Sequence, residues 1–200
     1  MGVEVSYKLN IEVCDKDGKN KRIYYVKGNS FTANFIKALY SLMRSHLQGQ
    51  VVNIVNTDGA ERAYPYIYST TSPVMNVDAG EGKTKYGVLY GTGTTPFDVN
   101  DYKLESLIPH GDGDNKLHYY PVNVFDLGVV ENKVQFKIQR PAINNGSVAI
   151  NISEIGVVAY EKEFSGTSTY FLIIRDVLDT PITVAPGQTI TATYTIYTTF

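Results

Sequence analysis

The stretch Tyr64-Pro65-Tyr66-Ile67-Tyr68 carries the most suggestive chemistry in this chain. In a strand, side chains two apart share a face, so Tyr64, Tyr66 and Tyr68 would stand in a row. Exposed, such a row is a platform for sugar rings, whose C–H faces pack on aromatics while the phenol hydroxyls cap their edges. Buried, the same row is cross-strand packing or a subunit contact with each phenol satisfied. A second group lies further along. Leu172-Ile173-Ile174 followed by Arg175-Asp176 reads as a buried strand ending in a charged pair. Arg175 with Asp176 or with Glu154 would be a structural contact that clamps the following loop, which Pro181 and Pro186 keep rigid.

The remaining motifs point away from catalysis and cofactors. Gly91-Thr92-Gly93-Thr94-Thr95-Pro96 has the look of a phosphate loop, but Pro96 stands where a dinucleotide loop needs its third glycine, and no amphipathic helix follows. It reads as a flexible turn. Gly111-Asp112-Gly113-Asp114-Asn115 faintly resembles a calcium loop, yet the twelfth position from Asp112 is Asn123 rather than a bidentate glutamate. A surface turn fits it better. His46, His110 and His118 lack zinc-ligand spacing, and one cysteine cannot build a structural zinc site, so neither metal nor cofactor is expected. No nucleophile elbow is present. The paired carboxylates Asp98 with Asp101 and Glu161 with Glu163 read as solvated charges, and no catalytic residue is assigned.

The elements that must position these residues are mostly strands. Val3, Val5, Tyr7, Leu9, Ile11 and Val13 alternate with polar residues, and Asp17-Gly18 turns the chain back, which predicts a hairpin over 3–27. Phe35, Ile36, Leu39, Leu42, Met43 and Leu47 instead recur at helical spacing. One amphipathic helix is predicted over about 31–47, capped by Asn29 or Ser30, with His46 near its C-terminus and Gly49 ending it. It would cover one end of a sheet or dock on another subunit. A second hairpin turns at Thr57-Asp58-Gly59-Ala60, and the small polar stretch 69–85 reads as a long loop.

After this loop, short strand candidates at 86–90, 117–125, 132–139, 148–160, 169–174 and 189–199 are punctuated by Gly, Pro and Asn. In the last of them Thr alternates with larger side chains. The expectation is a mainly β protein, one antiparallel β-sandwich or jelly-roll-like domain over 1–200 with a single helix.

Composition narrows the partners. Eighteen basic against 20 acidic residues leave a formal net charge of −2, which exerts no bulk pull on nucleic acid or anionic membrane. No apolar run reaches the ~18 residues of a membrane span, and the first residues lack the charged and apolar regions of a signal peptide. The lone Cys14 leaves no internal disulfide, so packing must supply stability. Sixteen Tyr and 17 Gly with no Trp suit a β protein with many turns.

Three stretches together resemble a group of small structural proteins of tailed phages and related viruses. They are Gly28 to Phe35, then Gly91 to Pro96 with Asp101 to Glu105, and lastly Ser153 to Gly156 with Arg175 to Leu178, Pro181 to Val184 and Pro186 to Ile190. The likeness spans about residues 28–198 and lies in structural punctuation rather than chemistry. It implies a β-sandwich component of a virion, in capsid decoration, neck or tail. Its partners would be copies of itself and neighbouring virion proteins, with contacts through the N-terminal hairpin, the 69–85 loop or the helix. The alternative expectation is a carbohydrate-recognising module that uses Tyr64, Tyr66 and Tyr68 together with the Gly-Asp loop.

Overall fold

The computed structural model describes residues 4–28, 30–43, 52–64, 75–131, 133–162 and 167–199, the side chains of 42, 43, 64 and 199 excepted. The architecture is mainly β, with antiparallel sheets packed together as a β-sandwich. The predicted opening hairpin is β1 (Glu4–Asp15) and β2 (Arg22–Gly28). Tyr7, Leu9, Ile11 and Val13 on β1 are all fully buried, so the period of two marks the core face. The small second hairpin is β3 (Val52–Val55) and β4 (Glu61–Tyr64).

The helix α1 covers Ala33–Met43, a start two residues later than predicted. The reason lies in residues 30–32, which pair with a strand instead. Phe31 bridges Ile174, Thr32 N donates to Ile173 O, and the Thr32 hydroxyl donates to Leu172 O. Thr32, rather than Ser30, therefore precedes the first turn, and the predicted caps Asn29 and Gly49, with residues 44–47 of the helix and His46, lie outside the described residues. Asn34 ties the helix to β3: its amide nitrogen donates to Val55 O and its amide oxygen accepts from Val55 N. The predicted covering role holds for the face with Ala38 and Ser41, both buried.

From residue 75 onward the chain runs through β5 (Gly87–Gly91), β6 (His118–Tyr119), β7 (Asn123–Val130), β8 (Lys133–Ile143), β9 (Ile150–Lys162), β10 (Ser168–Val184) and β11 (Gln188–Thr199). The larger sheet has the order β2-β1-β11-β8-β6, with β7 also paired to β8. The smaller sheet is β10-β9-β5. As the Thr alternation implies, Ile190, Ala192, Tyr194 and Ile196 of β11 point into the core. Residues 75–85 of the predicted long loop run without regular structure, pinned where Asn76 bridges Tyr160; residues 69–74 lie outside the described part.

Two strands depart from the sequence reading. The candidate at 117–125 is split into β6 and β7, with Pro121 between them. The candidate at 169–174 extends to Val184 because β10 absorbs its irregular residues in register shifts at 172–174 and 177–182. Tyrosines bind the sheets together across the core. Tyr90 of β5 donates to Arg140 O and accepts from Ala192 N. Arg140 itself is fully buried, donating to the carbonyls of Tyr120, Val88 and Gly80 with its guanidinium 4.8 Å from the Tyr119 ring centroid. Three carbonyl dipoles and an aromatic face thus replace the water its charge has lost. No helix among the described residues is long and apolar enough to cross a membrane.

Candidate functional site

Arg175 and Asp176 do not end a strand and do not pair with each other. Both lie inside β10, and adjacent strand residues point to opposite faces. Arg175 turns toward the 91–106 loop. Its Nε donates to Glu154 at 2.9 Å, its Nη1 to Asp101 at 2.8 Å, and its Nη2 to Thr95 O at 3.2 Å. The expected contact with Glu154 is therefore present. Asp101, read from sequence as solvated, is a partner in the same cluster, and Glu161 is buried in β9 rather than solvated.

Glu154 is fully buried and also accepts from the backbone N–H groups of Gly93, Glu105 and Ser106. Outside it, Glu105 accepts from the N–H groups of Thr94 and Thr95, and the Thr95 side chain together with these N–H groups holds its carboxyl below the usual carboxylate range. The Gly91–Pro96 loop is thus not a flexible turn. Its N–H groups form an anion cradle, and the anions are carboxylates of the same chain. The glycines follow from that approach. A Cβ on Gly91 or on Gly93 would sit 2.5 Å from Glu154 Oε1.

Asp176 points the other way, between the sheets, where it accepts from the hydroxyls of Tyr7 (2.7 Å) and Tyr194 (3.0 Å). Burial pushes its carboxyl up to about 6, against the downward pull of those two hydrogen bonds. The same burial, beside the Asp176 charge, raises both phenols. Tyr7 in turn accepts from Ser30 N, which links β1, β10 and the helix entry.

The Gly111–Asn115 turn uses its carboxylates within the chain. Asp112 bonds His118 Nδ1 and Asn145, while Asp114 accepts from the N–H and hydroxyl of Ser147. Glu81 meets the other ring nitrogen of His118 at 2.8 Å, and the Glu81 and Asp112 bonds raise the imidazole despite partial burial. His110 lies beside His118, with ring centroids 4.9 Å apart, and accepts at Nδ1 from Tyr119 N. Of the predicted tyrosine platform, Tyr66 and Tyr68 lie outside the described residues, and Tyr64 is placed only by its backbone at the end of β4.

Sequence reasoning missed the most conspicuous surface. On β7, Val124, Phe125, Leu127, Val129 and Val130 are all exposed, Leu127 at 70% and Val129 at 73%. Val124 lies opposite Ile138 and Val129 opposite Val134, so these positions continue the core-facing side of β8 beyond its buried part. The β7–β8 pair is an arm whose apolar side has outrun the smaller sheet. The signal was legible as Val124-Phe125-Asp126-Leu127-Gly128-Val129-Val130, where apolar residues fall on both faces instead of alternating. A second apolar patch is the outer face of α1, with Ile36, Leu39 and Tyr40 exposed at helical spacing. Contiguous apolar surface of this kind marks contact sites on soluble proteins.

No protein-family model matches the chain, and no curated protein or solved structure matches it.

Proposed function

We propose that this chain is a non-enzymatic structural subunit of a virion, in capsid decoration, neck or tail, which works by burying surface against copies of itself and neighbouring virion proteins. The observation that carries the reading is the exposed apolar arm of β7 and β8. Leaving Leu127 and Val129 in water forgoes about 1.5–3 kcal/mol per side chain, which a contacting chain would recover. The outer face of α1 supplies a second, unlike patch. Two unlike patches on one chain suit head-to-tail contacts, which repeat one interface around a closed ring. The virion setting draws its support from the three stretches between residues 28 and 190 that resemble phage structural proteins. The buried ionic cluster belongs to the same picture, since it fixes the 91–106 loop as scaffold.

The test is the mass of the purified protein by light scattering, with negative-stain microscopy for shape. The wild type is expected as a discrete oligomer or ring, and Val129→Asp, at a position already exposed, as a folded monomer. A wild type that stays monomeric at every concentration would overturn the assembly mechanism.

A further inference from the structure

The outer face of the larger sheet carries an open trough of about 790 Å³, within the roughly 300–1,000 Å³ usual for small-ligand sites. Its floor is the side of β1, β11 and β8 that faces away from the core. Its rims are the sheet's two flanks, with Tyr25 on β2 and Phe125 on β7. From this trough we infer that the protein has a binding site for a neutral oligosaccharide.

The floor chemistry points to hydroxyl-rich ligands. Thr191 and Thr193 of β11, Asn10 of β1, and Gln135 and Gln139 of β8 line it with partly exposed side chains. Hydroxyls and carboxamides each donate and accept, which matches a sugar hydroxyl that also does both. Gln139 already donates to Thr193 Oγ1 at 2.9 Å, so this part of the floor is held in place. Tyr25 is 75% exposed, and with Phe125 it offers aromatic surface for the C–H faces of pyranose rings.

Charge and backbone geometry separate this ligand from others. The trough has three cationic side chains, Lys8, Lys133 and Lys137, and three anionic ones, Glu12, Asp126 and Glu131. Their balance favours neither a phosphate backbone nor an acidic glycan. An added peptide strand needs unpaired backbone groups, but β1, β11 and β8 are each already paired on both sides. A saccharide uses side chains alone. The trough shares Phe125 and Val130 with the β7 arm, but Val129 lies opposite Val134 on the core-facing side of β8 whereas the trough floor uses the other side, so Val129 separates the two readings.

The test is a panel of neutral di- to hexasaccharides of glucose, galactose, mannose and N-acetylglucosamine, immobilised on an array, with any hit titrated by calorimetry. At least one member is expected to bind the wild-type protein, and Tyr25→Ala and Thr193→Val are each expected to weaken it at least tenfold. Val129→Asp should bind as the wild type does. Absence of binding across the panel at millimolar sugar, or binding that both trough variants leave unchanged, would overturn the inference. So would a Tyr25→Ala variant that changes oligomeric state while no sugar binds, since the trough would then be a subunit contact.

Discussion

A free aspartate in the unfolded chain titrates near 3.8, and the folded protein holds Asp176 up to about 6. Between those values the folded state keeps a proton that the unfolded state has lost. The stability that Asp176 contributes is therefore complete below about pH 4 and is lost as pH rises through 6. A shift of this size corresponds to about 3 kcal/mol at neutral pH. Asp176→Asn removes the charge and leaves Tyr194 free to turn its hydroxyl toward Ile155 O, 3.3 Å away. The variant should exceed the wild type in stability at pH 8 and match it at pH 4, read by urea unfolding at the two pH values. An equal change at both would show that the Asp176 charge has no part in it. Arg175 is the contrasting case, a charge kept in the fold by Glu154, Asp101 and a carbonyl. Loss of one partner from such a set leaves the others buried and uncompensated.

Among the elements, the 91–106 loop turns a weak motif into a rigid part. Gly93→Ala would place a Cβ 2.5 Å from both Glu154 Oε1 and Glu105 Cβ. It should cost about 1–3 kcal/mol and speed hydrogen exchange at Thr94 and Thr95. Gly113→Ala, which meets open space, should leave both measurements unchanged. An unchanged Gly93→Ala protein would show that the cradle does not need the glycine. The sequence announced β1 and β11 plainly, because strict alternation admits a single buried face. It did not announce the reach of β10. Asp179 and Pro181 look like loop residues, and they fall in the register shift between the Val177–Glu154 and Ile182–Ile152 pairs, so only the pairing on either side of them carries the strand through. Nor could spacing tell whether Arg175 faced Glu154 or Asp176, since that choice follows from strand parity at a position where sequence suggested an end. The cradle was illegible for a related reason: its anions, Glu154 and Glu105, come from outside the glycine motif.

Taken as a whole molecule, the sandwich is complete in its core and incomplete at its surface. Fully buried tyrosines and Arg140 have partners, while the β7–β8 arm and the outer face of α1 present apolar side chains to solvent. Association that buries these patches stabilises the folded state by mass action. The wild-type Tm should therefore rise with protein concentration, and that of Val129→Asp should not, as scanning calorimetry over a hundredfold range would show. A wild-type Tm independent of concentration would count against self-association.

The pairing of β1 with β11 has a consequence for how the chain folds. Glu4 lies opposite Thr199 and Asp15 opposite Gln188, so two strands at opposite ends of the described chain are neighbours in the middle of one sheet. β11 also supplies the partner of β8. Until it docks, β1 and β8 are open edges, each ready to pair with another chain. Closing so long a loop is slow, because the entropy is lost before the contacts are gained. The last step of folding and the greatest exposure to misassembly thus fall on the same strand, and a chain that assembles as proposed would have to complete β11 before it met its neighbours.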